Sequence, residues 1–139
     1  MTEERDAAYW FKFSGLEQVE ALARGDYPTS PMTQFMPFAT LPPRKGHLQF
    51  EATPSDAHLN GFHVVHGGWA MTMLDNAMGL AAHSTVGPYE ICPSIETSVS
   101  FKDKIEADGR ALTIIADVIR QDGPIALSSI VIAQPPWTT

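Results

Sequence analysis

The sequence predicts an α+β fold in which an antiparallel sheet wraps around one long, buried helix. Two observations carry this prediction. A helical stretch opens at Gly67-Gly68 and holds one formally charged residue, Asp75, between positions 67 and 86. A strand-like segment precedes this stretch, and further strand-like segments with short turns follow it. Because a helix that is apolar on nearly all sides is a buried helix, the sheet is expected to cover it.

Composition indicates one ordinary globular domain. The chain has 139 residues, of which 44% are hydrophobic and 18% are charged. The net charge of −7 argues against nucleic acid or an anionic membrane surface as a partner. Cys92 is the single cysteine, which excludes a disulfide framework and fits a cytoplasmic protein. The N-terminus lacks the apolar core of a signal peptide, and the polar residues in the buried stretch argue against a transmembrane helix.

An amphipathic helix is predicted over residues 5–24. Its apolar residues recur at steps of three and four, and Arg24-Gly25 supplies a basic last turn and a stop. We assign residues 1–30 to this helical extension and residues 31–139 to the main domain. The extension is expected to pack on the outside of that domain or on a second subunit.

The segments that lead to the buried helix are short. Prolines are dense over residues 26–46 and exclude a long helix or a central strand there. An edge strand is expected within residues 35–41, and alternating polarity predicts a half-buried strand over 47–53. The loop over 54–62 then contains the turn signal Asn60-Gly61.

Three strands are predicted after the buried helix, which Gly87-Pro88 ends. Alternation predicts the first over residues 94–105, and the last clear strand covers 125–133. The strand between them, over 110–121, is apolar on both faces. One of its faces would cover the helix and the other would meet a second subunit, so we expect a dimer or a tetramer.

The start of the buried helix offers a candidate oxyanion site. Backbone N–H groups at Gly67 and Gly68 have no intrahelical acceptors, and the helix dipole adds positive potential there. Asp75 follows about 12 Å further along the helix axis. One subunit cannot easily bring both groups to one reacting carbonyl, whereas two antiparallel copies of the helix at a dimer interface can.

Asn60, His66-Gly67-Gly68 and Leu74-Asp75, followed by Ala-Met-Gly, resemble the signature of the hot-dog fold acyl-CoA thioesterases of the phenylacetate-pathway (PaaI-like) type. The resemblance extends over about residues 35–133. It implies a curved antiparallel sheet around a long helix, assembled as a homodimer or homotetramer with sites at the subunit interface. It also implies hydrolysis of a medium-chain or aromatic acyl-CoA to the free acid and CoA.

The resemblance assigns a role to each residue of the signature. The Gly67 N–H would polarise the thioester carbonyl. Asp75 from the other subunit would act either as a nucleophile or as a general base on water. Asn60 and His66 would position the thioester or the water. Such chemistry needs no metal or redox cofactor, because a base or nucleophile and a stabilised oxyanion are sufficient.

Further residues are implicated in substrate binding. Gly68 is expected to contact the substrate, Ser94 would help to hold the water, and the bulky Trp69 would narrow the acyl pocket. Relatives end with one more strand, which residues 134–139 do not provide, so a sheet edge is expected to be missing or supplied differently. Several basic residues are candidates for contact with the CoA phosphates: Lys45, Lys102, Lys104, Arg110 and Arg120.

Structural explanations stay open for the same residues. Asp75 is also compatible with a buried structural acid, Gly67-Gly68 with close packing, and Asn60 with a simple Asn-Gly turn. The histidines within residues 58–66 lack the spacing and the acidic ligand of a metal site. The alternative functions are a non-catalytic acyl-thioester binding module and a hot-dog hydratase.

Overall fold

The structure is a computed structural model that describes residues 7–133. A four-stranded antiparallel sheet curls around one long helix, as the sequence predicts. The helices are α1 (Ala7–Trp10), α2 (Gly15–Arg24) and α3 (Gly67–His83). The strands are β1 (Ala39–Thr40), β2 (His47–Ala52), β3 (Leu112–Asp122) and β4 (Ile125–Ala133).

The strands pair in the order β1-β2-β3-β4, with every pair antiparallel. In the β2–β3 pair, His47 lies opposite Asp117 and Ala52 lies opposite Leu112. The strands predicted over 47–53, 110–121 and 125–133 are therefore confirmed to within two residues, and the predicted edge strand is reduced to β1.

The core lies between α3 and the inner face of the sheet. Alternate residues of β2 and β3 are buried and face the helix, which contributes residues spaced by four. Each large side chain buried in this way stabilises the fold by about 1.5–3 kcal/mol. The principal members of this core are Leu48, Phe50, Trp69, Met73, Ala77, Leu112 and Ile114.

The prediction of a strand over residues 94–105 is wrong. In the part of the chain that the structure describes, this segment pairs with no strand, and the chain bends at Ile95. The side chains of Ile95 and Phe101 are 86% and 58% exposed. Alternating polarity reflects a preference for extended backbone, but a strand also needs a neighbour with free N–H and C=O groups. The described strands leave this segment outside the sheet.

The prediction of one continuous helix over residues 5–24 is also wrong, because α1 and α2 are separate helices. Ser14 caps α2: its Oγ accepts the Glu17 N–H at 3.2 Å, and Glu17 Oε2 accepts the Ser14 N–H at 2.8 Å. This reciprocal capping box fixes a new helix start at Gly15. The amphipathic periodicity continues across the break between the two helices. The sequence pattern therefore gives no sign of this break.

The helix α2 docks on the C-terminal end of α3. The α3 helix ends at His83, and the hydroxyls of Ser84 and Thr85 then donate to the carbonyls of Ala81 and Ala82. The Gly15 N–H donates to Val86 O at 2.9 Å. A Cβ added at Gly15 would lie 1.7 Å from His83 O, so only glycine allows this approach.

The His83 side chain forms the polar part of this contact, and it predicts a pH dependence of stability. Gln18 Nε2 donates to Phe13 O at 3.0 Å, so Gln18 Oε1 accepts from His83 Nε2 at 3.1 Å. Burial lowers the pKa of His83 below its usual 6.5. The unfolded chain therefore binds more protons in the window below pH 6.5, and stability falls as the pH decreases from 6.5 through the folded pKa.

This pH dependence is measurable by urea unfolding between pH 7.5 and pH 5. The free energy of unfolding should fall less steeply over this window in His83→Gln, which keeps a donor for Gln18 but does not titrate. An identical pH profile for the variant and the wild type would contradict the assignment.

Two predictions concern residues outside the described part of the chain. These are the missing final strand at residues 134–139 and the first two residues of the predicted N-terminal helix, residues 5 and 6. Among residues 7–133, no helix is both long enough and apolar enough to cross a membrane.

Candidate active site

A tight loop before α3 is built around Asn60. Asn60 Oδ1 accepts the N–H groups of Phe62 at 2.9 Å and Val64 at 3.3 Å. The Asn60 N–H also donates to Val64 O at 2.8 Å. The side-chain oxygen therefore holds the turn in shape, and the Nδ2 group is the part of Asn60 that can donate to a ligand.

The first turn of α3 leaves one backbone donor for a ligand. His66 caps the helix: its Nδ1 accepts the Gly68 N–H at 2.8 Å, and its carbonyl accepts the Trp69 N–H at 2.9 Å. The Gly67 N–H finds no acceptor among residues 7–133. Since His66 Nδ1 acts as an acceptor, the ring proton of the neutral side chain lies on Nε2, which is a second possible donor.

A cavity of about 330 Å³ lies against Gly67. Phe101 covers the glycine so closely that an added Cβ would lie 3.2 Å from the Phe101 Cζ. Apolar side chains line most of the cavity, and the charged residues Lys102, Asp103 and Lys104 line the rest. The Glu106 carboxylate, which Lys104 Nζ contacts at 2.7 Å, raises the Lys104 pKa and keeps the amine charged. The other lining residues include Val65, Ala70 and Ile105.

Asp75 lies on the middle of α3 and is held by two hydroxyl groups. Its Oδ1 accepts from Ser94 Oγ at 2.7 Å and from Thr97 Oγ1 at 3.2 Å. The carboxylate is half-buried, not fully buried as a lone acid on an apolar helix suggests. The structure thus brings together Asp75 and Ser94, which the sequence predicts as site residues, and adds Thr97, which the sequence pattern does not indicate.

Asp75 and Gly67 lie on the same helix but do not meet within one subunit. Eight helical residues separate them by about 12 Å along the axis. Asp75 is not among the residues that line the cavity at Gly67.

Trp69 lies in the core, only 2% exposed. Its ring packs near that of His58, with 5.9 Å between the ring centroids. Its Nε1 finds no acceptor among the described residues, and neither does Trp10 Nε1. The residues that line the cavity at Gly67 do not include Trp69.

The histidines near the site make separate contacts. His58 Nδ1 accepts the Ser55 N–H at 2.9 Å, and His58 Nε2 donates to Phe35 O at 2.5 Å. Within residues 7–133, no group of three or more His, Cys, Asp or Glu side chains is placed to hold a metal ion.

The chain is similar to a known protein family. A family model described as the thioesterase superfamily matches residues 62–129, the part of the chain that contains Gly67, Asp75, Ser94 and Thr97. This match agrees with the resemblance of the signature at the level of the thioesterase superfamily. No curated protein matches the chain.

Several solved structures share the fold. A phenylacetic acid degradation-related protein of Ralstonia eutropha is 20% identical, with a TM-score of 0.78 over 86% of this chain and 91% of its own. The Escherichia coli PaaI protein is 19% identical, with a TM-score of 0.72 over 85% and 80%. The smu.793 protein of Streptococcus mutans, solved with acetyl-CoA bound, is 21% identical, with a TM-score of 0.63 over 68% and 73%. The predicted hot-dog architecture is therefore confirmed.

Proposed function

We propose that the chain is a thioester hydrolase of the thioesterase superfamily and that its substrate is an acyl-CoA with a medium-chain or aromatic acyl group. The observation that carries this proposal is the free Gly67 N–H at a cavity that is lined by apolar side chains and by Lys102, Asp103 and Lys104. The apolar lining suits an acyl chain, and the two lysines can contact the phosphates of CoA. The net charge of −7 disfavours an acyl-carrier protein, because that carrier is itself acidic.

The proposed reaction begins with polarisation of the thioester. The Gly67 N–H and the dipole of α3 stabilise the negative charge that develops on the carbonyl oxygen. His66 and Asn60 belong to the loop that leads into the first turn of α3. His66 Nε2–H and Asn60 Nδ2 orient the thioester or the attacking water. Gly68 contributes by holding the His66 ring through its N–H.

Asp75 of the partner subunit supplies the second half of the reaction. As a general base, it takes a proton from water while the water oxygen adds to the carbonyl carbon. The C–S bond then breaks, and the proton passes to the CoA thiolate. As a nucleophile, its carboxylate oxygen forms a mixed anhydride and expels the thiolate, and water then hydrolyses the anhydride.

The shared site requires a homodimer. The separation of about 12 Å between Gly67 and Asp75 on one helix keeps them from serving one carbonyl within a subunit. The segment outside the sheet over residues 89–105 supports an interface there, because it exposes large apolar side chains that a second copy can cover. They are Tyr89, Ile91, Ile95 and Phe101.

The proposal is tested by thiol release across a panel of aliphatic and aromatic acyl-CoA substrates, followed with a disulfide chromophore. We expect turnover on at least one class, and the panel then identifies the acyl group. Tight acyl-CoA binding without turnover would replace hydrolysis by the binding-module alternative. Hydration of an enoyl-CoA without thiol release would favour the hydratase.

Repeated turnover in H₂¹⁸O tests the nucleophilic role of Asp75. Entry of ¹⁸O into its side chain, seen as a higher mass of the peptide that contains it, would establish the anhydride, because only attack of water on the aspartyl carbon of that anhydride labels the residue. Label in the released acid alone is the result of the general-base route or of water attack on the substrate's own acyl carbon in the anhydride.

A further inference from the structure

We propose that Thr97 is a positioning residue that, together with Ser94, fixes Oδ1 of Asp75 and leaves Oδ2 as the reacting oxygen. This inference rests on the proposed function, because it assigns a purpose to a contact of the proposed catalytic carboxylate. The carrying observation is that both hydroxyls donate to the same oxygen, at 2.7 Å from Ser94 and 3.2 Å from Thr97.

The two hydroxyls reach the same oxygen only because the backbone departs from regular strand geometry. Residues three positions apart on a regular strand point to opposite faces, so Ser94 and Thr97 would not reach one acceptor. The chain bends at Ile95, between the two residues, and the bend turns both hydroxyls toward α3. The departure from strand geometry therefore falls at the place where it creates the second contact with Asp75.

The two hydroxyls are not equivalent. Ser94 is exposed, so water competes for its hydrogen bond, whereas Thr97 is half-buried and shielded. The β-branched Thr97 side chain also has few rotamers available, so its hydroxyl loses little freedom when it is held against the carboxylate. We infer that Ser94 makes the shorter contact and Thr97 the more persistent one.

A carboxylate with both donors on one oxygen cannot rotate freely about χ2. Rotation would exchange Oδ1 and Oδ2 and would break both hydrogen bonds in the process. Oδ2 therefore keeps one orientation toward the carbonyl or water that it serves. Precise placement of a reacting group is a large part of catalysis, and small displacements lower the rate strongly.

The test compares Thr97→Val, which keeps the shape of the side chain and removes the hydroxyl, with Thr97→Ser, which keeps the hydroxyl. We expect kcat to fall about tenfold or more in Thr97→Val, with KM within about twofold of the wild type. Thr97→Ser should recover at least half of the wild-type kcat. Thr113→Val, on the outer face of β3, is the matched control and should leave both constants unchanged.

A second arm shows whether Thr97 acts through Asp75. In an Asp75→Asn background, Thr97→Val should cause no further loss of the residual rate. A wild-type kcat in Thr97→Val, or failure of Thr97→Ser to rescue, would overturn the positioning role, and so would an equal loss in both backgrounds. If Asp75→Asn itself keeps wild-type turnover, Asp75 takes no part in the chemistry and this inference fails with that role, whereas the proposed hydrolysis fails only if no acyl-CoA is turned over.

Discussion

Replacement of Asp75 by asparagine is expected to lower kcat at least about a thousandfold on the best acyl-CoA substrate, equivalent to about 4 kcal/mol of transition-state stabilisation. The amide keeps the size and shape of the carboxylate, and its oxygen can still accept from Ser94 and Thr97. It can neither take a proton from water nor form an anhydride. The measurement is steady-state thiol release by wild type and variant at equal protein concentration.

Asp117→Asn is the matched control for this change. Asp117 is an exposed carboxylate on β3 that pairs with His47 at 2.6 Å, on the face of the sheet that points away from α3. Its substitution should leave kcat unchanged. Loss of activity in Asp75→Asn accompanied by a lower melting temperature would indicate misfolding, whereas loss at an unchanged melting temperature supports the catalytic assignment. Turnover in Asp75→Asn close to that of the wild type would exclude Asp75 from the chemistry.

The largest effect on stability is expected from Gly15→Ala. Its Cβ would lie 1.7 Å from the His83 carbonyl oxygen, so α2 has to move away from the end of α3. That movement breaks the Gly15–Val86 hydrogen bond and the Gln18–His83 contact. We expect a loss of about 2–4 kcal/mol in the free energy of unfolding, and a melting temperature lower by about 10 °C.

The stability measurement is thermal unfolding followed by circular dichroism at a fixed protein concentration. Gly79→Ala is the control, because a Cβ at this position of α3 meets nothing within 4 Å. Alanine is the better helix former by about 1 kcal/mol, so this variant should be as stable as the wild type or more stable. If Gly15→Ala melts together with the wild type, α2 does not dock as closely as described.

The sequence predicted α3 and three of the strands because their patterns are local. The apolar stretch after Gly67-Gly68 and the alternation over residues 47–53 each depend on neighbouring residues alone. The break before α2 was not predicted, because the Ser14–Glu17 capping box competes with a periodicity that continues through it. Residues 94–105 have the alternation of a strand, but pairing depends on a distant neighbour that a local pattern does not specify.

The candidate site divides in the same way. Gly67 and Asp75 were recognisable because glycine pairs and lone acids on an apolar helix are unusual in any sequence. Thr97 was not, because alternation placed it on the face opposite to Ser94. Only the bend at Ile95 brings the two hydroxyls to one oxygen. Contacts that depend on a departure from regular geometry are visible in coordinates and not in a sequence pattern.

The docking of α2 at one end of α3 has a consequence for protein engineering. The cavity lies at the opposite end of α3, which is about 25 Å long. Residues that adjust how α2 seats against His83 are therefore remote from the thioester. A directed-evolution library restricted to residues 9–27 could therefore be selected for heat tolerance without a change in substrate preference. The residues that line the cavity could then be varied in a second, independent round.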